Sequence, residues 1–341
     1  MNIAPWTKAC LFPATSASAE GFLDVSDGHS VYWEEYGNPD GIPVLYLHGG
    51  PGRPRPHAIP RLFDPEAFRL ILMDQRGTRR SRPLGEMRAN TTQHLIGDIE
   101  TLRKARGIET WHVFGGSWGS TLGLCYGIAH PDRLGSLTVW GIYLALASEA
   151  DWVNFGARWM KPRECEALVD HAGATTTSEL LEGYRALIED PDPAVHEPAI
   201  KIYNAHQAAL SDIRHYDASL DRDRESTAEM LPQLKIELGY FCANCFIPDG
   251  HILDQAHRLR GIPGTIIQGA DDMICPCANA TELARFWPDA DLHIVPDAGH
   301  FVFEPGIAAR VMETFAAIAR AEGLHTTPNK PIKQGAINAT L

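Results

Sequence analysis

The run Gly115-Gly116-Ser117-Trp118-Gly119 sets a serine between glycines two residues to either side, after the apolar stretch Trp111-His112-Val113-Phe114 and before Ser120-Thr121-Leu122-Gly123-Leu124. The pattern predicts strand, sharp turn and helix, with Ser117 at the apex. Such a turn brings neighbouring backbone so close that a Cβ two residues before or after the serine would clash, which is why glycine is required there. It lifts the hydroxyl clear of the sheet and aims the following N–H groups at a developing oxyanion. The chemistry this suggests is nucleophilic attack on a carbonyl. A serine hydroxyl is a poor nucleophile at neutral pH, so it needs a general base, and the base needs an acid to orient it.

Two downstream segments offer those groups. Gly264-Thr265-Ile266-Ile267-Gln268-Gly269 reads as a buried strand ending at Ala270-Asp271-Asp272, and Leu292-His293-Ile294-Val295-Pro296 as the next, ending at Ala298-Gly299-His300. Serine, acid, histidine is the chain order of the triad in α/β-hydrolases. The chain has 15 histidines, and His300 is set apart only by following a strand and a glycine at the right end of the sequence. Asp271 and Asp272 are adjacent with diverging side chains, and the pattern does not choose between them. Upstream, Ile42-Pro43-Val44-Leu45-Tyr46-Leu47 runs into His48-Gly49-Gly50-Pro51-Gly52. A glycine-rich turn after a central strand can present bare N–H groups, here from Gly49 and Gly50, which with the N–H of Trp118 would form an oxyanion hole.

The rest of the composition narrows the class. The 341 residues are 44% hydrophobic and 21% charged, ordinary values for a globular protein able to bury a large core. A formal net charge of −13 disfavours nucleic acid or an anionic membrane as partner, since phosphate binding needs a basic footprint. No apolar stretch is long enough to span a bilayer. The first residues, with an apolar run broken by Pro13, do not read as a secretory signal. Seven scattered cysteines suit a reducing cytoplasm better than a disulfide framework. Cys242-Ala-Asn-Cys245 and Cys275-Pro-Cys277 lack the matched spacing of a zinc site, so no metal is expected.

These residues imply the elements that must hold them. Phe22–Val25 and His29–Trp33 flank Asp27-Gly28 as a hairpin, while Val44–Leu47 and Leu70–Met73 read as parallel strands buried on both faces. Leu95, Ile99 and Leu102 give helical spacing within Asn90–Ala105, with Thr91 or Thr92 as N-cap. Leu137–Trp140 is a further strand. From Leu144 to Arg258 the pattern turns helical, and strands resume at Gly264. The expected fold is α/β: a mostly parallel sheet with helices on both faces, formed by residues 1–143 and 259–323, with an inserted helical cap at 144–258 and a flexible tail at 324–341.

Taken together, the segments resemble the prolyl aminopeptidases (proline iminopeptidases), serine hydrolases of the α/β-hydrolase fold. The likeness runs from about Gly21 to Ala321. It is carried by His48-Gly49-Gly50-Pro51-Gly52, Asp74-Gln75-Arg76-Gly77 with Arg80-Ser81, Asn90-Thr91-Thr92 with Asp98-Ile99-Glu100, the Ser117 turn, Asp272-Met273-Ile274-Cys275-Pro276, and Gly299-His300. The resemblance implies Ser117 as nucleophile, Asp272 as acid, His300 as base, and the Gly49-Gly50 turn with Trp118 as oxyanion hole. It implies an acyl-enzyme route without metal or organic cofactor, acting on a small peptide, amide or ester. Nothing in the sequence excludes a homo-oligomer.

Two departures bear on specificity. In the family, cap glutamates recognise the substrate's free amino end, one in a Trp-Glu pair and one in a Glu-x-x-Tyr-Phe segment. Glu237 before Tyr240-Phe241 matches the second, whereas the first aligns with His206-Gln207, a neutral amide. Glu237, Gln207, Tyr240 and Phe241 are therefore the expected substrate-binding residues. Around the site the family usually has glycine where this chain carries Arg53, Arg55 and Arg79. Arg53 follows the oxyanion turn directly, where a planar guanidinium could clamp an anionic part of a substrate, the alternative being that these arginines are solvated surface charges offsetting an acidic protein. Two activities follow: release of an N-terminal proline, or hydrolysis of small amides or esters lacking a free amine. A non-catalytic binding protein is disfavoured by the complete set of serine, acid and histidine.

Overall fold

The computed structural model describes residues 11–211 and 225–324. Apart from Leu324, the tail expected at 324–341 lies outside those residues, as do residues 1–10. Eight strands form one sheet: β1 (Ala19–Asp24), β2 (Ser30–Gly37), β3 (Ile42–Leu47), β4 (Phe68–Asp74), β5 (Trp111–Ser117), β6 (Leu134–Ile142), β7 (Gly264–Gly269) and β8 (Ala290–Val295). Their spatial order is β1-β2-β4-β3-β5-β6-β7-β8. β1 and β2 pair antiparallel, as does β2 with β4; the six strands from β4 across to β8 are parallel.

Burial explains the strand sequences. β1 sits at the sheet edge and alternates partly buried with exposed residues, the period of a strand with one wet face. β5 lies between β3 and β6, and Trp111 through Gly116 are all buried, which is why its sequence runs apolar without alternation.

Helices close both faces. α1 (Thr92–Ala105) starts at Thr91, whose side chain accepts the His94 N–H, and buries Leu95, Ile99 and Leu102. α2 (Trp118–Ala129) is buried from Trp118 to Ile128, so it is apolar all round rather than amphipathic. After β7 come α9 (Cys277–Phe286) and, after β8, α10 (Pro305–Ala321). α10 presents Ile307, Val311, Phe315 and Ala319 at helical spacing, and Phe315 packs on Phe63 and Phe114 at ring centroid distances of 4.5 and 5.5 Å.

Between β6 and β7 the described residues hold only helices: α3 (Ala147–Asn154), α4 (Pro162–Ala172), α5 (Thr177–Glu189), α6 (Pro193–Leu210), α7 (Thr227–Cys242) and α8 (His251–Gln255), with short 3-10 turns. α4 to α7 share a separate apolar cluster that includes Leu168, Leu180, Tyr184, Ile200, Tyr203, Leu234 and Leu238. That second cluster lies within the segment between β6 and β7, while Ile236 and Tyr240 of α7 join the main core around the sheet.

Candidate active site

Parallel strands converge their carboxyl ends on one rim of the sheet, and ligands bind there in open α/β folds. Ser117 ends β5, the Gly49-Gly50 turn follows β3, Asp272 follows β7 and His300 follows β8. All four segments therefore reach the same rim, although up to 251 residues separate them in the chain.

Ser117 has φ 56° and ψ −127°, outside the regions that suit an L-residue. The surrounding glycines make that possible. A Cβ on Gly119 would sit 2.1 Å from the Leu47 carbonyl oxygen, and one on Gly115 would sit 2.3 Å from that of Gly119. Because α2 begins at Trp118, its first unpaired N–H groups open beside the serine. Gly49 lies against the other side; a Cβ there would be 3.4 Å from Ser117 Cβ and 3.9 Å from Oγ.

The turn carrying Gly49 is fixed from beneath. His48 is fully buried, and burial pushes its pKa down to about 4, so the ring is neutral. Its Nδ1–H donates to the Gly49 carbonyl at 2.9 Å, and its Nε2 accepts the Gln75 N–H at 3.1 Å. The Gln75 amide in turn donates to the His48 carbonyl at 2.9 Å and accepts the Trp118 indole N–H at 2.8 Å. One buried glutamine thus ties both halves of the expected oxyanion hole together. Arg76 and Asn90, other marks of the resemblance, brace the same region: Arg76 forms a two-point pair with Asp98 at 2.6 Å, and the Asn90 amide donates to the Arg76 carbonyl at 3.1 Å.

On the other side, His300 Nδ1 donates to Asp272 Oδ2 at 2.8 Å. Asp271 is exposed and makes no such contact among the described residues. Asp272 Oδ1 accepts the N–H groups of Ile274 and Cys275 at 2.9 and 2.8 Å, while Oδ2 also receives Gln268 Nε2 at 3.2 Å. Each carboxylate oxygen thus accepts from two donors, which fixes the side chain. Burial disfavours a charged His300 ring, but the Asp272 charge and hydrogen bond outweigh it and raise the pKa above the ordinary 6.5.

Ser117 and His300 face one cavity of about 920 Å³, lined also by Gly49, Gly50, Gln207, Glu237, Phe241 and Arg53. Its walls include the aromatic rings of Tyr46, Trp140, Tyr143 and Tyr203. Cys275, only 2% exposed, lines the same cavity as Ser117, and burial keeps its thiol protonated by raising its pKa well above 9.

Several sequence expectations need correction. Tyr240 does not line the cavity. It is buried against Trp118 at a ring centroid distance of 5.1 Å, and its hydroxyl donates to Asn90 at 2.9 Å; Glu237 and Phe241, four apart on α7, take the cavity face instead. The three arginines expected around the mouth separate. Arg55 is buried between Glu34 and Asp74, Arg79 is exposed and outside the cavity wall, and only Arg53 lines the cavity. Arg53 is not held ready for a substrate anion: Nε and Nη2 both donate to the Glu237 carboxylate and Nη1 donates to Asn204 Oδ1 at 2.7 Å. A carboxylate buried as deeply as Glu237, 3% exposed, needs a paired charge, and Arg53 provides it.

Three polar residues at the site were not singled out from sequence. Gln268 is fully buried, accepts the Ile142 N–H at 2.9 Å and donates to the Cys275 carbonyl at 2.8 Å besides contacting Asp272. A lone amide in an apolar strand was the available signal. Glu304 accepts the Gly299 and Phe301 N–H groups at 2.6 and 3.0 Å, holding the loop that presents His300. Glu149 accepts the Leu144 and Leu146 N–H groups at 3.1 and 2.7 Å and an Asn279 amide proton, fixing the chain where it leaves β6.

The chain is similar to proteins already known. A family model described as alpha/beta hydrolase fold matches residues 42–307. The proline iminopeptidase of Arabidopsis thaliana is 38% identical, over 89% of this chain and 81% of that protein. The proline iminopeptidase of Neisseria gonorrhoeae is also 38% identical, over 86% of this chain and 94% of its own length. Among solved structures, a proline iminopeptidase of Mycobacterium smegmatis superposes with a TM-score of 0.58 at 19% identity, covering 89% of this chain and all of that one, a likeness of fold.

Proposed function

The chain belongs to the proline iminopeptidase family of α/β-hydrolases, and from that membership we propose that it releases N-terminal proline, or a similar small residue, from short peptides and amides through an acyl-enzyme on Ser117. The observation that carries this reading is the convergence of Ser117, the His300–Asp272 pair and the Gly49-Gly50 turn on one cavity rim. In the first step His300 Nε2 takes the Ser117 proton as Oγ bonds the substrate carbonyl carbon. The resulting oxyanion is met by the N–H groups of the Gly49-Gly50 turn and of Trp118. The proton then passes from His300 to the departing amine as the C–N bond breaks, and a water molecule, deprotonated by the same ring, releases the acyl group. Water alone balances the reaction, so no cofactor is invoked.

Residues 144–258 serve as a cap over a body formed by 1–143 and 259–323. The cap contributes Gln207 from α6 and Glu237 and Phe241 from α7 to the cavity wall. Closure by helices limits substrates to short ones, and the aromatic wall suits an apolar ring such as pyrrolidine. A cytoplasmic setting fits the six cysteines among the described residues, all free. Among those residues no helix is long and apolar enough to cross a membrane.

The reading is tested with a proline aryl amide and a short peptide beginning with proline. Wild type should release proline from both, and Ser117→Ala should lose about 10³-fold or more in kcat. An active-site phosphonate should add its mass to the peptide bearing Ser117. Undiminished turnover in Ser117→Ala would refute the assignment.

A further inference from the structure

The cavity holds a completed ion pair. Glu237 is 3% exposed, both of its oxygens accept from Arg53, and Tyr203 lines the same wall. Arg53 is itself steadied by Asn204, and it leaves the main chain three residues after Gly50, beside the expected oxyanion hole. Two other carboxylates of the segment between β6 and β7 line the same cavity, Glu149 and Glu225, but each is engaged elsewhere, Glu149 by the Leu144 and Leu146 N–H groups and Glu225 by the Gln233 amide, and Gln207 on that wall is a neutral amide.

An ammonium bound near a carboxylate gains most when that carboxylate has no other cation, because a planar guanidinium satisfies both oxygens at once. From this we propose that Arg53 determines specificity by neutralising Glu237, so that the acyl pocket accepts amides and esters whose acyl nitrogen is uncharged as readily as those with a free amine. The inference rests on the hydrolase reading above and concerns only which acyl groups the site prefers. Arg53 does not act on the reacting atoms; it sets the charge balance of the wall they face.

The test compares kcat/KM for a proline aryl amide with that for its N-acetyl counterpart in wild type, Arg53→Ala, Arg53→Lys, Glu237→Gln and the Arg53→Ala/Glu237→Gln double variant. Wild type should turn over the two substrates within about tenfold of each other, and Arg53→Ala, which frees Glu237, should shift the ratio toward the free amine by about tenfold or more, mainly through KM. The double variant should erase that shift, and Arg53→Lys should keep the wild-type ratio. Glu237→Gln alone leaves Arg53 an unpaired cation on the wall and should shift the ratio toward the N-acetyl substrate by about threefold or more. The double variant, which removes both charges, decides the matter even if Arg53→Ala does not fold: it should stay within about threefold of the wild-type ratio, whereas loss of a carboxylate that binds ammonium would cost at least about tenfold. A wild-type preference for the free amine above about a hundredfold, abolished by Glu237→Gln, would overturn the proposal and make Glu237 an ammonium site despite Arg53. Failure of wild type on both amides and on a simple acyl ester would instead sink the hydrolase reading, and this inference with it.

Discussion

Asp272→Asn offers a sharp test of how the site is wired. Asp272 Oδ1 accepts two main-chain N–H groups, from Ile274 and Cys275, so an asparagine must place its carbonyl oxygen there. Its amide nitrogen then replaces Oδ2 and faces His300 Nδ1 and Gln268 Nε2. Gln268 cannot turn to compensate, because its oxygen accepts the Ile142 N–H and its nitrogen donates to the Cys275 carbonyl. The new N–H donates to Nδ1, which moves the imidazole proton to Nε2, the atom that must accept the Ser117 proton. Restoring the reactive tautomer sets donor against donor, at about 1–3 kcal/mol for each group left unpaired. The imidazolium formed during attack also loses a neighbouring carboxylate, a loss of up to about 4 kcal/mol at an effective dielectric of 20. Because these costs overlap, the barrier should rise by on the order of 5 kcal/mol, a fall in kcat of about 10³ to 10⁴-fold. The base acts in its neutral form, so activity falls as pH drops through the His300 pKa. In wild type that limb lies above 6.5 because Asp272 raises it against burial; without the carboxylate, burial remains and the limb moves down. The assay is kcat and kcat/KM on proline aryl amide between roughly pH 5 and 9, with circular dichroism as the folding control. A variant that folds, keeps kcat within about tenfold and shows an unmoved acid limb would refute this account of Asp272.

Two further outcomes follow from buried groups around the cavity. Burial raises Glu149 from 4.5 to about 7, so the unfolded chain gives up this proton at lower pH than the folded one; stability falls as pH climbs between those values and is level above them. The unfolding free energy of wild type relative to Glu149→Gln, measured by urea titration, should therefore drop by about 3 kcal/mol from pH 5 to pH 8, and a pH-independent difference would contradict it. Cys275 touches the Ser117 region but is 2% exposed with a protonated thiol, so alkylation should be slow, should stop turnover in step with modification, and should be delayed by substrate. Cys275→Ala should keep most activity and lose the sensitivity; full activity after confirmed modification of Cys275 would show that the thiol does not border the reacting atoms.

The serine turn was legible because its cause is local. Ser117 takes a positive φ, and the glycines around it are required by main-chain atoms within a few residues or on the adjoining strand, so sequence spacing alone carries the signal. The parallel strands were legible for a similar reason, since a strand covered on both faces must be apolar throughout. Choosing Asp272 over Asp271 is a different kind of problem. Two adjacent side chains point apart, so the residue pattern left both open and the resemblance alone pointed to Asp272; the position of the loop after β8 brings that one to His300. The same holds for the polar residues missed: Gln268, Glu149 and Glu304 matter through the particular N–H groups they reach, and a composition pattern does not report those.

Arg53 marks the boundary most clearly. Its sequence position, just past the oxyanion turn, was informative about where it would sit, and it does line the cavity. Its partner is 184 residues further on, on a helix of the inserted segment. The sequence by itself determined the fold class, the order of Ser117, Asp272 and His300 at the ends of successive strands, and the strained turn, because those depend on local sterics and on the periodicity of burial. Only the tertiary structure decided which charges meet, because a buried carboxylate is satisfied by whatever cation the packing brings within hydrogen-bonding distance, irrespective of separation along the chain.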